Sequence, residues 1–216
     1  MAAHPGIFVL AGTNGAGKSS IAGDVFTRND GAYFNVDEVA KAVVRENPGM
    51  TIEEANGLAW QRGLQLLRES IERGYRYAFE TTLGGETITA TLLAAAARGI
   101  KVHVWYCALA TPELHLARVA ARVRRGGHDI PERKIRERYD ASRRNLVRLM
   151  PHLEVLRVYD NSEESVSPRP RLILAMSRRR IVEADLETTP EWAKPIVAAA
   201  FALDPKFASR PRLTRA

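Results

Sequence analysis

The chain has 216 residues, 45% of them apolar, and a net charge of +7. That is enough apolar material for one domain with its own core, and no apolar run reaches the roughly 18–20 residues that a bilayer-spanning helix needs. The single cysteine, Cys107, rules out an internal disulfide, and no Cys/His cluster has zinc-ligand spacing. No basic segment followed by an apolar stretch opens the chain, so a secretory signal is not expected and the expected location is cytoplasmic.

In chain order, Ile7 to Ala11 is a short apolar run ending at Gly12 and predicts a buried strand. Lys18 to about Arg28 predicts a helix. Tyr33 to Val36 predicts a second strand, with Asp37 placed to cap the helix that runs on toward Pro48. Thr51-Ile-Glu-Glu54 is a capping box opening a long helix that Gly74 ends. Tyr75 to Phe79 predicts a third strand with Glu80 at its end, and the Ala/Leu-rich stretch from Thr87 to Arg98 a helix closed by Gly99.

Lys101 to Leu109, rich in β-branched and aromatic residues, predicts a fourth strand. Thr111-Pro112-Glu113 starts a helix with an apolar stripe of Leu116, Val119 and Val123, while Arg118, Arg122 and Arg125 share another face. Gly126-Gly127 interrupts it. Pro131 to Met150 predicts the next helix, with Ile135, Tyr139, Leu146 and Leu149 on one side. Glu154 to Tyr159 predicts a fifth strand, Leu172–Met176 and Arg180–Val182 a hairpin, and Thr189-Pro190-Glu191 the start of a last helix reaching about Leu203.

Strands alternating with helices, with Gly12-x4-Gly17-Lys18-Ser19 directly after the first strand, predict an α/β fold of the P-loop NTPase kind: a five-stranded, mostly parallel sheet with helices on both faces and an Arg-rich helical lid. The expected domain is 1–203, with the lid at about 118–144, a C-terminal hairpin and helix at about 170–203, and a mobile tail at 204–216. Ligands in such folds bind beyond the C-terminal strand ends, where Gly12, Asp37, Glu80 and Asp160 all fall.

Gly12-Thr13-Asn14-Gly15-Ala16-Gly17-Lys18-Ser19 matches the P-loop pattern in full, between a strand and a helix. Glycines let backbone N–H groups close around a phosphate, and the N-terminus of the next helix adds positive potential. ATP is the expected nucleotide, bound by residues 12–19 and Ser20. Lys18 is expected to reach its β- and γ-phosphates and the Ser19 hydroxyl to ligate Mg²⁺.

A kinase also needs a base for the acceptor hydroxyl and positive charge over the moving phosphoryl group. Asp37 is the candidate base, a role compatible with capping a helix. Glu80, Thr81 and Thr82, at a strand end, are candidate substrate contacts. Residues 118–144 hold nine Arg and one Lys against four acids. Guanidinium meets phosphate oxygens two at a time and stays charged. Arg122 and Arg125 are therefore the candidate catalytic arginines, with Arg133 or Arg138 from the second helix and His128 as further substrate contacts. Asp160-Asn161-Ser162 reads equally as a ligand contact or an Asx-type turn.

Together these segments resemble the zeta-toxin-like P-loop kinases: the phosphate loop, Phe34-Asn35-Val36-Asp37-Glu38, Phe79-Glu80-Thr81-Thr82-Leu83, Arg122-Val123 followed by Gly126-Gly127-His128 and Pro131, and Tyr159-Asp160-Asn161-Ser162. The resemblance covers about residues 6–163. It implies transfer of phosphate from ATP, with Mg²⁺, to the sugar of UDP-N-acetylglucosamine. Asp37 would be the base, Glu80 would contact substrate, and a separate antitoxin protein would be a partner. Asn14-Gly15-Ala16 and the Gly-Gly-His lid resemble a chromosomal branch of the family rather than the plasmid toxins. The rival readings are a nucleic-acid end kinase, disfavoured because residues 118–144 lack interleaved aromatics, and a regulatory ATPase with no small-molecule acceptor.

Overall fold

A computed structural model describes residues 6–26, 33–163 and 170–209. The elements run β1 (Ile7–Ala11), α1 (Ser19–Phe26), α2 (Val36–Glu46), α3 (Ile52–Arg73), β2 (Tyr77–Thr81), α4 (Glu86–Ala97), β3 (Val102–Ala108), α5 (Pro112–Val123), α6 (Glu132–Leu149), β4 (Val155–Asp160), β5 (Arg171–Ser177), β6 (Arg180–Ala184) and α7 (Lys194–Leu203). The expected end of the first helix, at about Arg28, lies outside the described residues.

One six-stranded sheet has the order β2-β1-β3-β4-β5-β6. The first four strands are parallel, and the C-terminal hairpin adds β5 and β6 antiparallel. The hairpin therefore extends the main sheet, which makes six strands where five were expected. The expected strand at Tyr33 to Val36 shrinks to one parallel bridge, Phe34 to Phe79. Its loss has a local cause. Asn35, not Asp37, is the N-cap of α2, accepting from the backbone N–H of Asp37 at 2.9 Å and of Glu38 at 3.4 Å, so the chain turns helical at Val36.

Other boundaries follow their signals. Thr51 and Glu54 form the reciprocal capping box of α3, worth about 1 kcal/mol, and Gly74 ends it in the left-handed conformation at φ 70°. Thr111 caps α5 through Leu114 N–H. The β5–β6 turn places both Arg178 and Arg179 at positive φ, as a two-residue hairpin turn requires.

The main core lies on the sheet face covered by α3, α4, α6 and α7, where Leu67, Leu92, Leu146, Leu149 and Ile196 pack on Val9, Val104, Tyr106, Leu156 and Val158. A smaller cluster, with Leu10, Ala78 and Cys107, packs on the other face around the start of α1. Cys107 is buried there, which pushes its thiol up to about 12 and makes it inert. Beyond this cluster the face carries a ladder of Arg76, Phe8, His103 and Trp105, with Phe8 stacked on His103 at 4.6 Å.

Asp204, grouped with the tail in the sequence, is buried and accepts from Ile181 N–H at 2.8 Å. Residues 210–216 lie outside the described residues. No helix among the described residues is long and apolar enough to cross a membrane.

Candidate active site

The phosphate loop leaves the C-terminal end of β1, and its carbonyl groups are held by the surrounding protein. Lys18 Nζ donates to the Gly12 carbonyl at 2.7 Å and to that of Thr13 at 3.5 Å. His115, buried on α5, donates from Nδ1 to the Asn14 carbonyl at 2.8 Å. The Ala16 carbonyl accepts from Asn161 Nδ2 at 2.9 Å and from Cys107 Sγ at 3.2 Å. With these carbonyls spent on protein donors, and with the Ala16 N–H donating to the Thr13 carbonyl at 3.1 Å, the other amides of the turn are what remains for a phosphate. Gly17 sits at φ 80° against Asn161, whose amide any Cβ there would strike. Only glycine fits that approach.

His115 is an unusual wall for such a loop. Burial drives its pKa down to about 4, against the opposing pull of its bond to the Asn14 carbonyl. The ring is therefore neutral, with the proton on Nδ1, and its buried Nε2 has no hydrogen-bond partner among the described residues. The sequence reading passed over this residue, which sits one position before the apolar stripe it drew on this helix.

Behind the loop, β2 brings in Glu80. Its Oε1 lies 3.4 Å from Lys18 Nζ, and both side chains are largely buried. Its Oε2 accepts from Asn35 Nδ2 at 3.1 Å, which couples the pair to the cap of α2. Thr81 and Thr82 turn back on the chain, their hydroxyls accepting from Leu83 N–H at 3.1 Å and Gly84 N–H at 3.4 Å. Leu83 is fully buried at φ 55°, a conformation that costs a leucine on the order of 1–2 kcal/mol. Its carbonyl is clamped by Asn145 Nδ2 at 2.9 Å. Strain of this kind persists where neighbours over-determine the backbone, here immediately after Glu80-Thr81-Thr82.

Asp37 stands in the first turn of α2, facing the lid. Arg122 Nη1 lies 3.6 Å from its Oδ2 and His128 Nε2 4.0 Å from its Oδ1. Arg122 also donates to the His128 carbonyl at 3.0 Å, which fixes the Gly126-Gly127-His128 turn. A Cβ on Gly127 would come within 2.6 Å of Arg122 Cγ, so the glycine makes room for the arginine. Arg138 reaches the loop from α6. Its Nη1 donates to Asn14 Oδ1 at 2.8 Å, and its carbonyl accepts from Thr13 Oγ1 at 3.4 Å. Burial pulls its pKa down, partly countered by Asp37 and Glu137. Gly84 stands against it: a Cβ there would meet Arg138 Cγ at 2.7 Å.

The fold thus ties Lys18 and Arg138 to the loop, pairs Glu80 with Lys18, and sets Asp37, Arg122 and His128 against one another, with Asn35 joining the start of α2 to Glu80. It does not gather two expected arginines. Arg125 is exposed and bonds the Ala121 carbonyl of its own helix, and Arg133 is exposed and pairs with Glu137 at 2.8 Å. Neither has a hydrogen bond or ion pair to the loop among the described residues. The shared face of Arg118, Arg122 and Arg125 does not carry all three inward: Arg118, a turn before Arg122, lies beside Gly17. Asp160 serves as a structural acceptor for Ser162, Trp192 and Arg171, so in this triplet it is Asn161 that touches the loop.

An anion suits this cradle, since Arg122 Nε is buried with no hydrogen-bond partner among the described residues. A Mg²⁺ ion fits a different way. No group of three His, Cys, Asp or Glu among the described residues would hold a metal by itself. Magnesium bound through substrate phosphates, its own waters and one protein ligand needs no such cage, and Ser19 at the start of α1 is the residue that would supply that ligand.

Residues 7–149 match the AAA domain family. An uncharacterized protein of Haemophilus influenzae is 31% identical over 133 residues, covering 59% of this chain and 88% of that protein. Among solved structures, AvrRxo1-ORF1:-ORF2 with ATP aligns at a TM-score of 0.64 and 18% identity over 91% of this chain; this chain spans only 64% of the length of the matched one. The PezAT chromosomal toxin–antitoxin system of Streptococcus pneumoniae aligns at 0.55 and 17% identity, covering 96% of this chain and 88% of that one. At those identities the likeness is one of fold. From its loop, its sheet and the family match over residues 7–149, this chain belongs to the AAA domain family, as a P-loop kinase-like member.

Proposed function

We propose that this protein transfers the γ-phosphoryl group of ATP to a hydroxyl of a small molecule, a sugar nucleotide such as UDP-N-acetylglucosamine. One observation carries the reading: a carboxylate, Asp37, faces Arg122 of one lid helix at 3.6 Å, while Arg138 of the other lid helix bonds the phosphate loop through Asn14 at 2.8 Å. A carboxylate so placed can take the proton of an acceptor hydroxyl or of water, and the acceptor panel below distinguishes the two. The fold likeness to AvrRxo1-ORF1:-ORF2 with ATP and to a toxin–antitoxin system supports the nucleotide and a separate antitoxin partner.

In the mechanism, the loop amides and Lys18 bind the phosphates. Lys18 leaves its pairing with Glu80 as it takes up phosphate oxygens, and Glu80 and Asn35 are then placed for the acceptor or for metal-bound water. Ser19 would hold a Mg²⁺ ion brought in with the phosphates, and that ion would supply charge neutralisation. Asp37 accepts the proton of the acceptor hydroxyl, whose oxygen bonds the γ-phosphorus as the bond to the β-phosphate oxygen breaks. Arg122 and Arg138 stabilise the charge spread over the phosphoryl oxygens. His128 orders the lid and the Asp37 carboxylate.

The test is an acceptor panel. The protein is incubated with Mg²⁺-ATP and UDP-N-acetylglucosamine, free sugars, nucleosides or 5′-hydroxyl oligonucleotides, and products are read by mass. Phosphate mass on UDP-N-acetylglucosamine supports the reading in full. Phosphate mass confined to the oligonucleotides replaces it with a nucleic-acid end kinase.

A further inference from the structure

Asn14 is the third residue of the phosphate loop, and it is held twice. Its carbonyl accepts from His115 on α5, and its Oδ1 accepts from Arg138 on α6, each at 2.8 Å. It is nine-tenths buried. These two helices flank the lid turn, so one side chain and one carbonyl of the loop join both halves of the lid to the nucleotide cradle. The contact to Arg138 is reinforced on the helix side, where Thr13 Oγ1 donates to the Arg138 carbonyl, and on the far side, where Gly84 leaves space for its stem.

Resting on the phosphotransferase reading above, we propose that Asn14 is a positioning residue: it holds the Arg138 guanidinium at the mouth of the loop, so that the arginine meets the transferred phosphoryl group with little rearrangement. The physical reason is the cost of placement. A free arginine side chain loses rotamer freedom when fixed, and a charged donor keeps its place only where an acceptor is supplied. Asn14 supplies a neutral acceptor. A carboxylate there would hold the arginine more tightly but would repel the phosphates. Asparagine orients the cation without competing strongly for it.

The test is a double-mutant cycle with an independent structural readout. Asn14→Ala is expected to lower kcat about 30-fold while KM for ATP changes less than about three-fold, because the interaction acts in the transition state. In an Arg138→Ala background the same substitution is expected to cost less than about two-fold, since its object is gone. Phenylglyoxal labelling, mapped by peptide mass, reads the contact without catalysis. Arg138 is expected to react slowly in the wild type and several-fold faster in Asn14→Ala, and Asn14→Asp, which keeps the acceptor oxygen, is expected to restore protection. Equal cost in both backgrounds, a change confined to KM, or equal labelling of Arg138 in all three proteins overturns the proposal. A wild type that transfers phosphate to nothing overturns the kinase reading itself, an outcome visible before any variant is compared.

Discussion

Arg122 reaches from α5 to within 3.6 Å of the Asp37 carboxylate on α2, closing the lid onto the turn that carries the candidate base. The pairing aligns the Asp37 carboxylate, and it places a cation where phosphoryl charge would develop. Replacing Asp37 by Asn preserves shape and removes the base. The expected loss in transfer rate is about 10²–10⁴-fold, with ATP binding by calorimetry changed little. Replacing Arg122 by Ala is expected to cost on the order of 10³ in kcat. If transfer survives both changes at near wild-type rate, the catalytic roles of this pair are wrong.

Two glycines separate a functional requirement from a conformational one. Gly84→Ala would drive a methyl group to 2.7 Å from Arg138 Cγ, whereas a Cβ at Gly57, inside α3, meets nothing within 4 Å. Gly84→Ala is expected to reduce kcat about ten-fold or more by displacing the arginine. Gly57→Ala is expected to raise stability by about 0.5–1 kcal/mol, seen as a higher urea midpoint, without altering turnover.

Acid should loosen the loop through His115. Its pKa is lowered to about 4 in the folded protein, mainly by burial, against an ordinary value of 6.5. Between those values the unfolded chain binds the extra proton, so stability is fully present above about pH 6.5 and is lost as pH falls toward 4, at up to about 1.4 kcal/mol per pH unit. His103 has its pKa lowered by burial too and adds in the same direction. Urea midpoints measured from pH 8 to pH 5 are expected to fall on acidification, and to fall less steeply in His115→Asn. Parallel slopes in the two proteins would exclude His115 as a source.

The buried pair of Lys18 and Glu80 makes a different kind of prediction. Removing one partner leaves the other charge uncompensated. Glu80→Ala is therefore expected to lower the melting temperature of the free protein and to give a larger thermal shift on adding Mg²⁺-ATP than the wild type shows, because phosphate takes over the neutralisation of Lys18. Identical shifts in both proteins would count against this exchange of partners.

The loop, the order of the elements and most helix boundaries were legible because each rests on local chemistry: the glycine spacing of residues 12–17, the capping box at Thr51, and the cap and proline at Thr111-Pro112. Asn35 was missed as a cap because Asp37, two positions on, is an equally good capping type, and only the backbone dihedrals distinguish them. The arginines show the limit most clearly. Helical spacing groups Arg118, Arg122 and Arg125, but it does not say where the helix places each side chain against the loop, and Arg125 bonds its own helix instead. Arg138 and Arg133 looked alike in sequence, yet Gly84 and Asn14 make room and a partner for only one of them. His115 carried no local signal, since its partner carbonyl lies 101 residues away.

The most direct test of the account follows ATP, ADP and phosphorylated products together by phosphorus NMR, with and without a pool of small-molecule acceptors, for the wild type and for Asp37→Asn. The account predicts ADP formation that depends on an acceptor, a matching new phosphomonoester signal, and loss of both in Asp37→Asn. Steady ADP and free phosphate release that ignores the acceptor pool and survives Asp37→Asn would contradict it and leave a hydrolase.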